Sequence, residues 1–168
     1  EQGNYRVVYI PADLEVTPSP AMELHTADYY GVYDGSSHIG SATVTGVRGG
    51  SQIEYSLDGE TWFSDPYSIL DVGEYDVIVR ATNPNYITKT DTLHLAIDPK
   101  PVTVTAYNSG KVYGEEDPAF TADVQGLVGN DTVSYTITRS GAGRDEDVGV
   151  YEDVLVPSGL ERQGNYAI

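Results

Sequence analysis

The chain has 168 residues, 39% of them apolar, with fourteen tyrosines against two phenylalanines and one tryptophan, and no cysteine. Twenty-six acids against nine bases leave a formal charge of −17, which repels phosphate backbones and anionic lipid and argues against nucleic-acid or membrane-surface partners. No run approaches the roughly 18 apolar residues of a membrane span, no signal peptide opens the sequence, and without cysteine there is neither a disulfide framework nor a thiolate site.

Tyrosine, threonine, valine and glycine dominate, which is β-sheet composition. No window repeats apolar residues at i, i+3, i+4 and i+7 for three turns, so the expectation is all-β with almost no helix. In chain order, "YRVVYIPADLEV" leads into the proline joint "TPSP", and strands are expected near 41–47, 52–57, 61–64, 74–82 and 86–97. A second proline joint, "DPKP", follows, and then strands near 101–107, 119–125, 132–139, 150–156 and from 166. "VTVTAY", "TVSYTITR" and "YDVIVRA" alternate apolar and polar residues, so each sheet should bury one face and wet the other.

The elements recur. Asn4-Tyr5, Asn85-Tyr86 and Asn165-Tyr166 fall 81 and 80 residues apart; Pro18 and Pro20 match Pro99 and Pro101; Val32-Tyr33 matches Val112-Tyr113; Asp71-Val72-Gly73 matches Asp147-Val148-Gly149. Such spacing marks a repeat architecture. Residues 1–17 read as the last strand of an upstream repeat module, 18–98 as a first β-sandwich module, and 99–168 as a second that lacks most of its last strand. An unpaired strand is a template for another chain, so residues 1–16 are expected to exchange into a neighbouring molecule, alongside contacts between neighbouring modules of the same chain.

"DVGEY" and "DVGVY" resemble the tyrosine corner of immunoglobulin-like sandwiches, placing Asp71, Gly73, Tyr75 and Asp147, Gly149, Tyr151 in a structural role. Two residues beyond the corner stand Val77 and Asp153; an acid there points to a bulge or shifted register before "VLV". "KPVTVTAYNSGKVYGEEDPAFTADVQGLVGNDTVSYTITRSG", followed by "DVGVY" and "GNY", resembles the MBG-type (mostly-β, glycine-rich) repeat of large bacterial surface proteins. The middle module resembles the Ig-like domains that alternate with such repeats. The resemblance implies two tandem Ig-like antiparallel β-sandwich modules in an elongated arrangement, an extracellular place on the bacterial surface, and no catalytic residues.

Candidate chemistry is sparse. "SLDGETW" is one residue short of the Asp-box of β-propellers; Asp58-Gly59 is a hairpin signal, and Trp62 reads as packing on its own module. Asp145 and Asp147 are a weak Ca²⁺ candidate, as are the acids 115–117, because neither group has the alternating spacing of a dedicated loop; no other cofactor is expected. His25, His38 and His94 lack zinc spacing, and Lys111 is the one lysine placed for a Lys–Asn crosslink. Tyr29, Tyr30, Tyr33 and Tyr107 are candidate ligand-binding aromatics. The reading is a non-catalytic spacer of an adhesin-like surface protein. The alternatives are a carbohydrate- or protein-binding module using exposed tyrosines, and a glycosidase fragment, which would need two carboxylates about 5–10 Å apart in a cleft.

Overall fold

The computed structural model describes residues 3–141 and 147–168. Among them there is no helix, and the first module is built from β1 (Glu23–Ala27), β2 (Tyr29–Val32), β3 (His38–Ile39), β4 (Ser41–Thr45), β5 (Gln52–Ser56), β6 (Ser68–Ile69), β7 (Gly73–Thr82) and β8 (Lys89–Asp98). The second contains β9 (Lys100–Pro101), β10 (Thr103–Ala106), β11 (Ala122–Gln125), β12 (Thr136–Arg139), β13 (Leu155–Ser158), β14 (Arg162–Gln163) and β15 (Tyr166–Ala167). The protein is all-β, and its sheets are consistent with a β-sandwich.

The centre of the first module is a four-stranded sheet in the order β2-β8-β7-β5. β8 runs antiparallel to β7 and parallel to β2, pairing Tyr29 with Leu95 and Val32 with Asp98. Its period-2 pattern decides which face is buried: Val77, Val79, Leu93, Leu95 and Ile97 are core, while Asp76, Thr92 and His94 stay wet. The β1–β4 pair closes the other side, contributing Leu24 and Ala42 to the same cluster.

The second module repeats this plan residue for residue where it can. β1 pairs Glu23 with Thr45 and Thr26 with Ala42; β10 pairs Thr103 with Gln125 and Ala106 with Ala122, each 80 residues on. Both pairs end on a glycine in the left-handed region, Gly46 (φ 73°) and Gly126 (φ 103°), where a Cβ would strike the backbone oxygen of Ala21 or Pro101. The Asn-Tyr anchors are equivalent as well: the Tyr86 hydroxyl accepts the Arg48 N–H at 2.8 Å and the Tyr166 hydroxyl accepts the Val128 N–H at 3.0 Å.

Three expectations change. The stretch 61–64 is not a strand but one bridge, Tyr55 with Phe63, because Asp58 draws the Glu60 and Thr61 amides into a tight turn. The strand expected over 150–156 begins only at Leu155, after Asp153 takes φ 56° as the one non-glycine residue in the left-handed region among those described. Its physical cause is visible in the first module, where Gly73–Val77 pair with β8 alone and β5 reaches only Ile78–Thr82. Among the described residues no strand lies beside the counterpart of that first half, 149–153, and it forms no ladder. Finally, β2, β3, β6, β9 and β14 were not expected; at two to four residues they are too short to show alternation.

Residues 6–18 join no strand and are exposed throughout. Tyr9, Ile10, Leu14 and Val16 are each more than four-fifths exposed. The chain as a whole exposes 12272 Å², against roughly 8,100 Å² for a compact monomer of its mass.

Candidate functional site

The two modules meet in a shared core. Val102 and Tyr166 of the second join Tyr33, Tyr55, Ile69, Val77, Val79, Leu93, Leu95 and Ile97 of the first in one buried cluster. Tyr166 is 4% exposed, and its ring meets Tyr33 edge-to-face with centroids 5.5 Å apart, the geometry favoured by aromatic quadrupoles. Both hydroxyls donate to the Asp131 carboxylate, Tyr166 at 2.5 Å and Tyr33 at 3.3 Å. Burial, then the bond to Asp131, push the Tyr166 hydroxyl above the ordinary tyrosine range.

Asn165 makes a second clasp. Its Oδ1 accepts the Val72 N–H and its Nδ2 donates to Asp71, both at 2.9 Å. Asp34 and Gly35 form a turn against the second module, where a Cβ on Gly35 (φ 78°) would press on Val128. The linker adds Tyr33 N–H to the Asp98 carbonyl (2.9 Å), Lys100 N–H to the Asn165 carbonyl (2.9 Å) and Val102 N–H to the Ala167 carbonyl (2.7 Å). Pro99 and Pro101 fix φ on either side. A joint with paired polar groups and a common apolar core resists swinging.

The two corner motifs are put to different uses. In the second module Tyr151 donates its hydroxyl to the Asp147 carbonyl at 2.8 Å, the backbone return of a tyrosine corner. In the first, Asp71 and Val72 hold Asn165, while Tyr75 leans its ring on Tyr67 at 5.8 Å and lies over Gly73. Gly149 sits beside the Tyr151 ring.

The four candidate tyrosines do not come together. Tyr33 is buried in the junction, and Tyr29 stacks on His38 at 4.4 Å. Only Tyr30 and Tyr107 are exposed, one in each module. Burial is the correction for Tyr33: its position on β2's inward face, continued past Val32, turns it into the joint.

Trp62 packs on its own module under the Arg80 guanidinium, 3.9 Å from its ring, while Arg80 pairs with Glu54 at 2.8 Å. Asp58 accepts from Ser56 Oγ and from the Glu60 and Thr61 amides, which hold its carboxyl down at about 2. Of the Ca²⁺ candidate, Asp145 lies outside the described residues, and Asp147 is exposed. Asp117 is held by Lys111 at 3.0 Å and Arg139 at 2.7 Å, which neutralises it internally and explains its lowered pKa. Among the described residues no three metal-ligating side chains cluster.

Sequence reasoning marked Asn165-Tyr166 as a repeat anchor without seeing that it forms the joint, and Asp131 was missed; the 81- and 80-residue recurrence of Asn-Tyr was the available signal.

No curated protein and no solved structure matches the chain. Residues 102–168 match the family model of the MBG domain, YGX type. MBG domains are a surface-protein repeat family, and the second module, which carries Asp131, Asn165 and Tyr166, is similar to a repeat of that type.

Proposed function

We propose that the chain is a non-catalytic spacer segment of a bacterial cell-surface, adhesin-like protein, in which successive modules are stacked on fixed joints so that a distal domain is held away from the cell. The junction carries this reading. Tyr166 and Val102 of one module are built into the core of the other and Asn165 is hydrogen-bonded to its Asp71 and Val72, so the joint acts as a continuation of the sheet core and not as a loose tether. The MBG match supports the surface setting. The excess of exposed area over a compact body supports an extended form, and the charge of −17 keeps such an array soluble through self-repulsion.

Small-angle scattering at low protein concentration tests it. A compact chain of this length has a radius of gyration near 15 Å; two modules end to end give roughly 20 Å or more, from strands of about ten residues at about 3.3 Å rise. The expected profile is a stiff rod whose maximum dimension is unchanged by salt. A compact particle, or a broad interdomain distance distribution, would remove the spacer reading.

A further inference from the structure

His38 opens β3, beside the turn that the first module presses against the second. Its ring lies nearly flat on that of Tyr29, with centroids 4.4 Å apart and planes 12° apart, and its Nε2 meets the Asp34 carboxylate at 3.0 Å. The His38 side chain is 21% exposed and that of Asp34 50%, so water screens the pair only in part. Asp34 Oδ1 also accepts the Ser36 N–H at 2.8 Å and so closes the turn. The tip of the turn is Gly35, which lies against the Val128 side chain of the second module. Val128 in turn donates its N–H to the Tyr166 hydroxyl at 3.0 Å, and Tyr166 shares Asp131 with Tyr33, the residue before Asp34. A short path of contacts therefore runs from the His38 ring through the turn into the shared core.

We infer that the joint is pH-sensitive and that the His38–Asp34 pair, seated on Tyr29, is its switch: proton uptake by His38 tightens the Asp34–Gly35 turn against Val128 and stiffens the contact between the modules. A neutral imidazole carries one N–H on either of two nitrogens, and in one tautomer a bare Nε2 lone pair would face the carboxylate. The imidazolium donates from both nitrogens, and its bond to a carboxylate is charge-assisted, about twice as strong as a neutral one. The Tyr29 ring face adds a cation–π attraction that the neutral form lacks.

Among the described residues, the titratable groups facing the ring are Asp34 from the turn and Tyr29 from β2; β6, paired with β3, sets the uncharged Ile69 and Ser68 opposite. The bond to His38 is the foremost cause that holds the Asp34 carboxyl below its ordinary range, followed by the Ser36 amide, as expected of an acid beside a cation. The added stiffness is present while His38 holds its proton and is lost as rising pH removes it, in the range where imidazole titrates. His25 and His94 pair instead with Glu23 and Asp76. As a means of setting the stiffness of a stacked array the inference rests on the spacer reading, but the switch itself rests on the joint alone.

The test is amide exchange by NMR on the whole chain from about pH 5.5 to about pH 8, each rate divided by that of an unstructured peptide at the same pH. Protection at the Val128 N–H is expected to be about two- to fivefold higher at the acid end, the range of a partly exposed ion pair, and to follow the ring titration of His38. His38→Gln keeps an amide donor that does not titrate, and Asp34→Asn removes the charge; both should leave Val128 protection flat with pH. His94→Gln should keep the wild-type profile at Val128. The proposal fails if wild-type protection at Val128 is flat, if His38→Gln retains the pH dependence, or if the amides of β7 change in the same proportion as Val128, which would place the effect in the stability of the first module and not in the joint. Failure of the spacer reading would appear in the scattering profile and leave these exchange ratios unchanged.

Discussion

Replacing Tyr166 separates the packing of the joint from its hydrogen bonds. Tyr166→Phe keeps the buried ring against Tyr33 but removes the hydroxyl that links Asp131 to the Val128 N–H; Asp131 is exposed and keeps Tyr33, so the cost is that of ordinary hydrogen bonds, about 0.5–1.5 kcal/mol. Tyr166→Ala removes the ring as well and opens a cavity in the shared core, at about 3–5 kcal/mol for a large aromatic. For the two modules melting as one unit each kcal/mol lowers the melting temperature by roughly 2–4 °C. Scanning calorimetry should show one cooperative transition for the wild type, the same transition a few degrees lower for Tyr166→Phe, and two separate transitions for Tyr166→Ala. If Tyr166→Ala leaves a single transition at the wild-type temperature, the modules do not share a core and the argument for a stiff joint collapses.

Asn165→Ala should loosen the joint while leaving each module folded, seen as faster amide exchange at Val72 and a broader scattering distance distribution; unchanged exchange would show that the clasp is idle. His94 pairs with Asp76 at 2.6 Å, and that bond raises its pKa above 6.5. Its stabilisation is thus complete below 6.5 and lost as pH rises through the folded-state value, and His94→Gln should flatten the melting temperature between pH 6 and 9 relative to wild type. Asp58 behaves oppositely: with its carboxyl held down to about 2, its contribution is present above the unfolded value near 3.8 and disappears as pH falls towards 2, so Asp58→Asn should lose part of the wild type's acid dependence in that window. Gly126→Ala forces a Cβ into the Pro101 carbonyl at φ 103° and should cost roughly 1–3 kcal/mol; a neutral effect in urea unfolding would contradict the turn geometry.

Much of the fold was legible because it repeats. The 80-residue recurrence of Asn-Tyr, of the proline joints and of Asp-Val-Gly reflects positions where backbone geometry or a specific hydrogen bond admits few residues, as the matching bonds of Tyr86 and Tyr166 show. Alternation in 74–82 and 86–97 identified β7 and β8 because both bury one face along ten residues. Asp153 was recognised as out of place in a strand, and it takes a left-handed conformation there. Two-residue strands such as β3 and β6 carry no period to read, and the expected strand at 61–64 ignored the side-chain hydrogen bonding by which Asp58 closes its turn.

By itself the sequence determined the all-β class, the repeat and the buried face of the long strands, since these follow from side-chain alternation and from residues that are local in the chain. Which tyrosines are buried, that Asp71 and Val72 serve a joint while Asp147 serves a corner, and that Asp131 joins Tyr33 to Tyr166 across 98 and 35 residues were decided only in three dimensions. The physical reason is that these roles depend on which surface covers which. Tyr33 and Tyr113 stand in the same Val-Tyr motif, yet one is 9% exposed and the other 63%, because Tyr166 packs on the Tyr33 ring and Asp131 accepts from its hydroxyl.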